Sequence, residues 1–211
     1  MNHSSISSTV KMTSVMSVIG LSVILMFSLC TPKPVAESQV LTETPKPNYG
    51  GFESQEKWGE HLVTICGCHD CHSPKMMSDH GPIPNPDQLL SGHHDAAPDP
   101  DIDRKEIESK GLVVTNDLTV WVGPWGVSYA ANLTSDATGT GNWQESNFIY
   151  AIRNGKFKGL ESGRPLLPPM PWDVYKHMTD DELKAIFAYL KTTKPINNVV
   201  PNPLPPVLAA K

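Results

Sequence analysis

The chain has 211 residues, 39% of them apolar, and a formal net charge of −5. That size carries one modest domain with appendages, and the acidic balance argues against a nucleic-acid partner. There is no Gly-rich phosphate loop followed by Lys and Ser/Thr, and no dinucleotide fingerprint after a strand, so nucleotide chemistry drops out as well.

At the start of the chain, Met12 to Leu29 is an uncharged and largely apolar run. Lys11 is the only Lys, Arg, Asp or Glu before Cys30. Residues 1–30 are therefore expected to be an export signal or a single membrane anchor. Cys30 resembles the lipidated cysteine of bacterial lipoproteins, with Leu29 standing where a small residue normally precedes it. Residues 31–51, "TPKPVAESQVLTETPKPNYGG", lack an apolar period and are broken by prolines, which predicts a flexible linker. About twenty such residues average roughly 25 Å end to end and extend to roughly 70 Å. A domain on that leash can swing between membrane-bound partners.

Between Ser54 and Gly67, Trp58, Leu62 and Ile65 recur at i, i+4 and i+7 and predict a helix with one buried face. That helix leads into "CGCHDCHSPK", which holds three of the four cysteines. Cys68-His69-Asp70-Cys71-His72 is a C-x-x-C-H box, the attachment signal for c-type haem. Two thiols one short turn apart can each add to one porphyrin vinyl group, and the next histidine then lies beneath the iron. A zinc site would want a second Cys/His pair, and none stands at suitable spacing. A redox dithiol belongs beside a βαβ pattern that does not surround Cys68. Cys66, left over, is expected to be a buried thiol.

The segment from Met76 to Lys110 is rich in Pro, Asp and Gly and is expected to be irregular. From Leu112 to Ala130, β-formers alternate with the turn pairs Asn116-Asp117 and Gly123-Pro124, predicting a small hairpin or meander. A second helix is expected after Asn142, with a capping box to Glu145, an inner face of Phe148, Ala151 and Ile152, and a stop at Asn154-Gly155. A third begins at Thr179 with Glu182 three on, and carries Leu183, Ile186, Phe187 and Leu190 at helical spacing.

An electron-transfer haem usually has a second protein ligand, and thioether sulfur opposite imidazole raises its potential. Of eight methionines, four lie in or before the leader, and Met76 and Met77 follow His72 too closely to cross the haem. Met170 and Met178 remain. Met170 lies in "LLPPMPW", where prolines 168, 169 and 171 stiffen the loop. Met178 is expected to pack at the start of the third helix, and His177 is the main rival ligand. The other histidines, His93 and His94 among them, are expected at the surface or in loops.

Three pieces of sequence, "GEHLVTICGCHDCHSPK", "ANLTSDATGTGNWQESNFIYAIRNGK" and "RPLLPPMPWDVYKHMTDDELKAIFAYLKTTKPI", together resemble the class I-type bacterial single-haem cytochromes c, with a long insertion after the attachment box. The resemblance implies a mainly α cytochrome c fold over residues 52–199. Three principal helices would surround one haem, with an irregular or hairpin insertion at about 76–130 and a Pro-rich tail at 200–211. It implies one covalent haem c on Cys68 and Cys71, with His72 and Met170 as iron ligands. It further implies that Gly59 lets the last helix cross closely at Tyr189 or Phe187. Pro74 would supply the carbonyl that accepts the His72 ring N–H, and Trp143 and Arg153 would lie near the haem propionates.

The function this implies is a membrane-tethered carrier of single electrons in the periplasm or cell envelope, not an enzyme. Its redox partners would be a dehydrogenase, a quinol-oxidising complex or a terminal oxidase. The alternatives are a haem catalyst such as a peroxidase, or a cytochrome subunit fixed in a dehydrogenase or oxidase complex. From Tyr150 to Lys194 eight Lys/Arg stand against five Asp/Glu, a mildly basic stretch able to steer acidic partners.

Overall fold

The computed structural model describes residues 48–207. The leader, Cys30 and nearly all of the predicted linker lie outside them. Among the described residues there are six α-helices, α1 (Gln55–Ile65), α2 (Cys68–His72), α3 (Arg104–Ser109), α4 (Glu145–Asn154), α5 (Trp172–Tyr175) and α6 (Asp180–Thr192). Two antiparallel hairpins complete the set: β1 (Lys75–Ser78) with β2 (Gly81–Pro84), and β3 (Val120–Gly123) with β4 (Gly126–Tyr129). None of the described helices is long and apolar enough to cross a membrane.

The three helices expected from periodicity are α1, α4 and α6. Ser54 caps α1 by accepting from Lys57 N–H. Its buried face is Gly59, Leu62 and Val63, while Ile65 is 63% exposed, so the face is rotated from the one expected. Helix α4 begins two residues later than the Asn142 box predicts, because Gln144 N–H donates to Asn147 Oδ1. It stops at Gly155, whose left-handed backbone (φ 59°) ends the helix as expected. Helix α6 is capped reciprocally by Thr179 and Glu182, and Leu183, Ile186, Phe187 and Leu190 are all buried.

These three helices enclose the main core, where Phe148 of α4 stacks on Phe187 of α6 at 5.7 Å between centroids. The closest approach is between α1 and α6. A Cβ built on Gly59 would lie 1.9 Å from the Ala185 carbonyl oxygen and 2.8 Å from Tyr189 Cβ. Tyr189 is thus a contact as expected, Ala185 is a nearer one, and Phe187 is turned inward instead.

The segment expected to be irregular is more ordered than that. It holds the β1–β2 hairpin and α3. Two prolines in the four residues of β2 hide a strand from propensity. Six residues of α3, capped by Asp103, are too few to show a period. The predicted hairpin is β3–β4, and Val120, Val122 and Val127 form a second, smaller core with Ile102, Ile107 and Tyr129 against it. Further along, Leu204 pairs with Val127 through both backbone hydrogen bonds, 2.9 and 3.0 Å. The fold therefore has two cores, and the longer helices surround only the first.

The α1–α6 crossing yields a first expectation. Gly59→Ala should cost about 3 kcal/mol or more, because the added methyl meets backbone that cannot move aside without separating the helices. Urea unfolding would measure it, and a loss below about 1 kcal/mol would contradict the crossing.

Candidate haem site

Helix α1 ends at Cys66, and Gly67 turns the chain through a left-handed residue (φ 67°) into the one-turn helix α2. That turn sets Cys68, Cys71 and His72 on a mostly apolar cavity. Its other walls include Val63 of α1, Phe148, Ala151 and Ile152 of α4, Leu183, Ile186 and Leu190 of α6, and Met170. Cys68, Cys71 and His72, neighbours in the chain, and Met170, almost a hundred residues further on, are thus brought to one cavity. His177 is exposed and is not among the lining residues, whereas Met178 is part-buried against the main core and also lines the cavity.

The His72 Nδ1–H donates to the Ala131 carbonyl at 2.7 Å. This corrects the expectation for Pro74, whose carbonyl instead accepts from Asn85 N–H at 2.8 Å. The β1–β2 hairpin immediately after the box takes up Pro74, and the chain beyond β4 comes back beneath the histidine in its place. Gly92 N–H also donates to the His72 carbonyl, and His93 N–H to the Ala130 carbonyl, so the insertion folds back onto the box. Burial pulls the His72 pKa down, keeping the ring neutral, the form a metal requires. With Nδ1 carrying the hydrogen, Nε2 is the nitrogen left with a lone pair to bind a metal.

Burial pushes the Cys68 thiol up to about 12, and it raises the Cys71 and Cys66 thiols as well. All three cysteines are free thiols. Cys66 is half-buried rather than buried and shares the cavity wall with Cys68. Among the described residues no group of three or more His, Cys, Asp or Glu side chains is arranged to hold a metal ion.

The loop carrying Met170 is held at several points. Leu166 N–H donates to the Gly155 carbonyl at 2.7 Å, Ser128 Oγ–H to the Pro168 carbonyl at 2.6 Å, and Tyr175 Oη–H to the Cys66 carbonyl at 2.6 Å. The last of these ties the end of α1 to the chain just beyond Met170. Burial pushes the Tyr175 phenol up to about 12, so this hydroxyl remains a donor at all ordinary pH.

Two of the residues expected near the haem carboxylates part company. Trp143 lines the cavity. Arg153 does not: it donates to the Lys176 carbonyl and pairs with Asp180 at 2.6 Å, where it holds the start of α6. The cations on the cavity are Lys158 and Arg164. The Arg164 guanidinium lies 4.1 Å from the Phe157 ring centroid and donates to the Pro165 carbonyl, and no carboxylate among the described residues pairs with it. The sequence contained its signal, an arginine six residues before Met170 in an apolar stretch. His93, expected at the surface or in a loop, lies in a loop but is 1% exposed, with Nδ1 2.8 Å from Thr119 Oγ1.

The residues present fit a covalently bound haem. Two free thiols one turn apart and an imidazole with its outer nitrogen engaged converge with a thioether on one apolar cavity.

No family model matches the chain. Fructose dehydrogenase cytochrome subunit of Gluconobacter japonicus is 37% identical over 76 residues, covering 35% of this chain and 15% of that protein. Gluconate 2-dehydrogenase cytochrome c subunit of Pantoea cypripedii is 37% identical over 67 residues, 31% of this chain and 14% of the relative. The cytochrome c subunit of the quinone-dependent alcohol dehydrogenase of Gluconacetobacter polyoxogenes is 35% identical over 75 residues, 35% of this chain and 15% of the relative. The match therefore spans a sixth or less of these curated relatives' length. It supports a cytochrome c character and, coarsely, an electron-carrying role.

The thiols supply the second expectation. In haem-loaded protein, iodoacetamide should label Cys66 but neither Cys68 nor Cys71. The Cys66 reaction at pH 8 should be slower than in urea, with the gap closing as pH rises, because burial holds the folded thiol neutral. Peptide mapping by mass spectrometry reads both, and a labelled Cys68 would show attachment through the wrong pair.

Proposed function

We propose that this chain is a single-haem c-type cytochrome that takes up one electron and passes it on without bond chemistry of its own. The observation that carries the proposal is the convergence of Cys68, Cys71, His72 and Met170 on one apolar cavity. In this reading Cys68 and Cys71 would hold the haem as thioethers, and His72 and Met170 would be the two protein ligands of its iron. Bound haem would supply a one-electron iron couple, and ligation by a thioether as well as an imidazole would set it toward higher potential.

The chain's own groups do the rest. Ala131 orients the His72 ring and keeps its proton on Nδ1. The apolar walls exclude water, which favours the less charged state of the iron. Arg164 and Lys158 offer positive charge to the haem carboxylates, and burial lowers the Arg164 pKa without neutralising a guanidinium at physiological pH.

The relatives, cytochrome subunits of fructose and gluconate dehydrogenases among them, favour a dehydrogenase as electron donor. A fixed place in such a complex is the second reading they favour. Residues 12–29 with Cys30 would export or tether the domain, keeping the haem outside the cytoplasm at a membrane. Co-purification with a dehydrogenase after gentle solubilisation separates the fixed subunit from the shuttle.

A pyridine haemochrome assay should return one haem per chain, and Cys68→Ala or Cys71→Ala should each weaken or abolish covalent attachment. Met170→Ala should keep the haem, lower the potential and admit external ligands. An unchanged potential in that variant would move the ligand role to Met178, which also lines the cavity, rather than to the exposed His177. A high-spin wild-type spectrum with rapid peroxide turnover would overturn the carrier in favour of a catalyst.

A further inference from the structure

The end of the insertion and the residue after it touch both segments that would ligate the iron. Within β4 and the residues following it, Ser128 Oγ–H donates to the Pro168 carbonyl at 2.6 Å, two residues before Met170. Three residues on, the Ala131 carbonyl accepts the His72 Nδ1–H at 2.7 Å. One short extended stretch, 128–131, therefore holds the imidazole at one end and the methionine loop at the other.

Ser128 is out of character for its surroundings. Its neighbours on the hairpin are apolar: Val127 and its pair Val122 are buried in the second core, and Ser128 itself pairs with Trp121. It is 7% exposed, so an unpaired hydroxyl there would be costly. Its hydroxyl is engaged in both roles, accepting from Trp125 Nε1 at 3.1 Å while donating to Pro168. The indole of the β-turn thus aims the serine, and the serine aims the loop. The acceptor matters because the prolines at 168, 169 and 171 have no N–H of their own with which to anchor the loop.

We propose that Ser128 is a positioning residue for the axial methionine, aimed by Trp125, and that residues 128–131 couple the two axial positions of the haem. This rests on Met170 being the sixth ligand. An iron–thioether bond is weak, and the loop must already stand in place for an external ligand to be refused. Releasing Pro168 lets the loop withdraw and raises the share of protein in which the iron is open.

The test uses full-length ferric holoprotein titrated with imidazole, with the sulfur-to-iron absorption band at the red end of the spectrum followed alongside. Ser128→Ala should keep the band at zero imidazole and lower the half-saturating imidazole concentration about fivefold, the worth of one net hydrogen bond. Ser128→Thr keeps the hydroxyl and should return the wild-type value. Trp125→Phe leaves Ser128 unaimed and should give a drop of roughly twofold.

An unchanged titration in Ser128→Ala overturns the proposal, even where the melting temperature falls, since that outcome marks a structural role alone. If Ser128→Ala does not accumulate as holoprotein, an unchanged titration in Trp125→Phe overturns it instead. Absence of the band from wild type, with Met170→Ala titrating like wild type, removes Met170 as ligand and the inference with it. Wild type that keeps the band while Ser128→Ala is unaltered defeats only the inference.

Discussion

Everything else in the domain depends on two helices meeting with no side chain between them. Gly59 brings α1 against the backbone of α6 at Ala185, closer than any residue with a Cβ allows. That contact fixes where α1 ends, hence where Gly67 turns and where the C-x-x-C-H box is presented. It also orients α6 so that Leu183, Ile186 and Leu190 serve both the core and the cavity wall. Each such side chain contributes about 1.5–3 kcal/mol on burial, so the wall of the site is also a main source of the domain's stability.

Around that frame, the polar groups at the cavity are nearly all committed to one another. Ala131 holds His72, Cys66 holds Tyr175, Gly155 holds Leu166 and Pro168 holds Ser128. All four acceptors are backbone carbonyls, which cannot be substituted away and which move only if the chain around them moves. Acceptors of this kind favour a pre-set geometry at the cavity. Lys158 and Arg164 are exceptions, two cations on the cavity that no carboxylate among the described residues pairs with.

The second core, far in sequence from the box, is tied into this arrangement by its own buried charge. Glu108, whose side chain is 2% exposed, accepts from Arg104 at 2.9 Å and from Val207 N–H at 2.7 Å, and Arg104 also donates to the Pro205 carbonyl. With Leu204 paired to Val127, the Pro-rich stretch after α6 is fastened across the hairpin that carries Ser128. Pro203 reaches the cavity wall. A buried carboxylate left without these partners would carry an uncompensated charge, so the latch is specific to this one seating of the chain.

The local chemistry was legible in the sequence. Helix periods are written every three or four residues, and so α1, α4 and α6 could be seen, along with the Thr179–Glu182 cap, the stop at Gly155 and the β3–β4 turn. The C-x-x-C-H spacing was equally plain, since all five of its residues are consecutive in the chain. Tertiary structure alone decided what lies across space: that Ala131 rather than Pro74 receives the His72 proton, that Arg153 belongs to α6 while Arg164 faces the cavity, and that His93 is buried on Thr119. It also decided that α1 turns Val63 inward and Ile65 outward. A hydrogen bond between residues 59 apart leaves no periodic trace, because any carbonyl in the chain is chemically able to accept it and only packing chooses which one arrives.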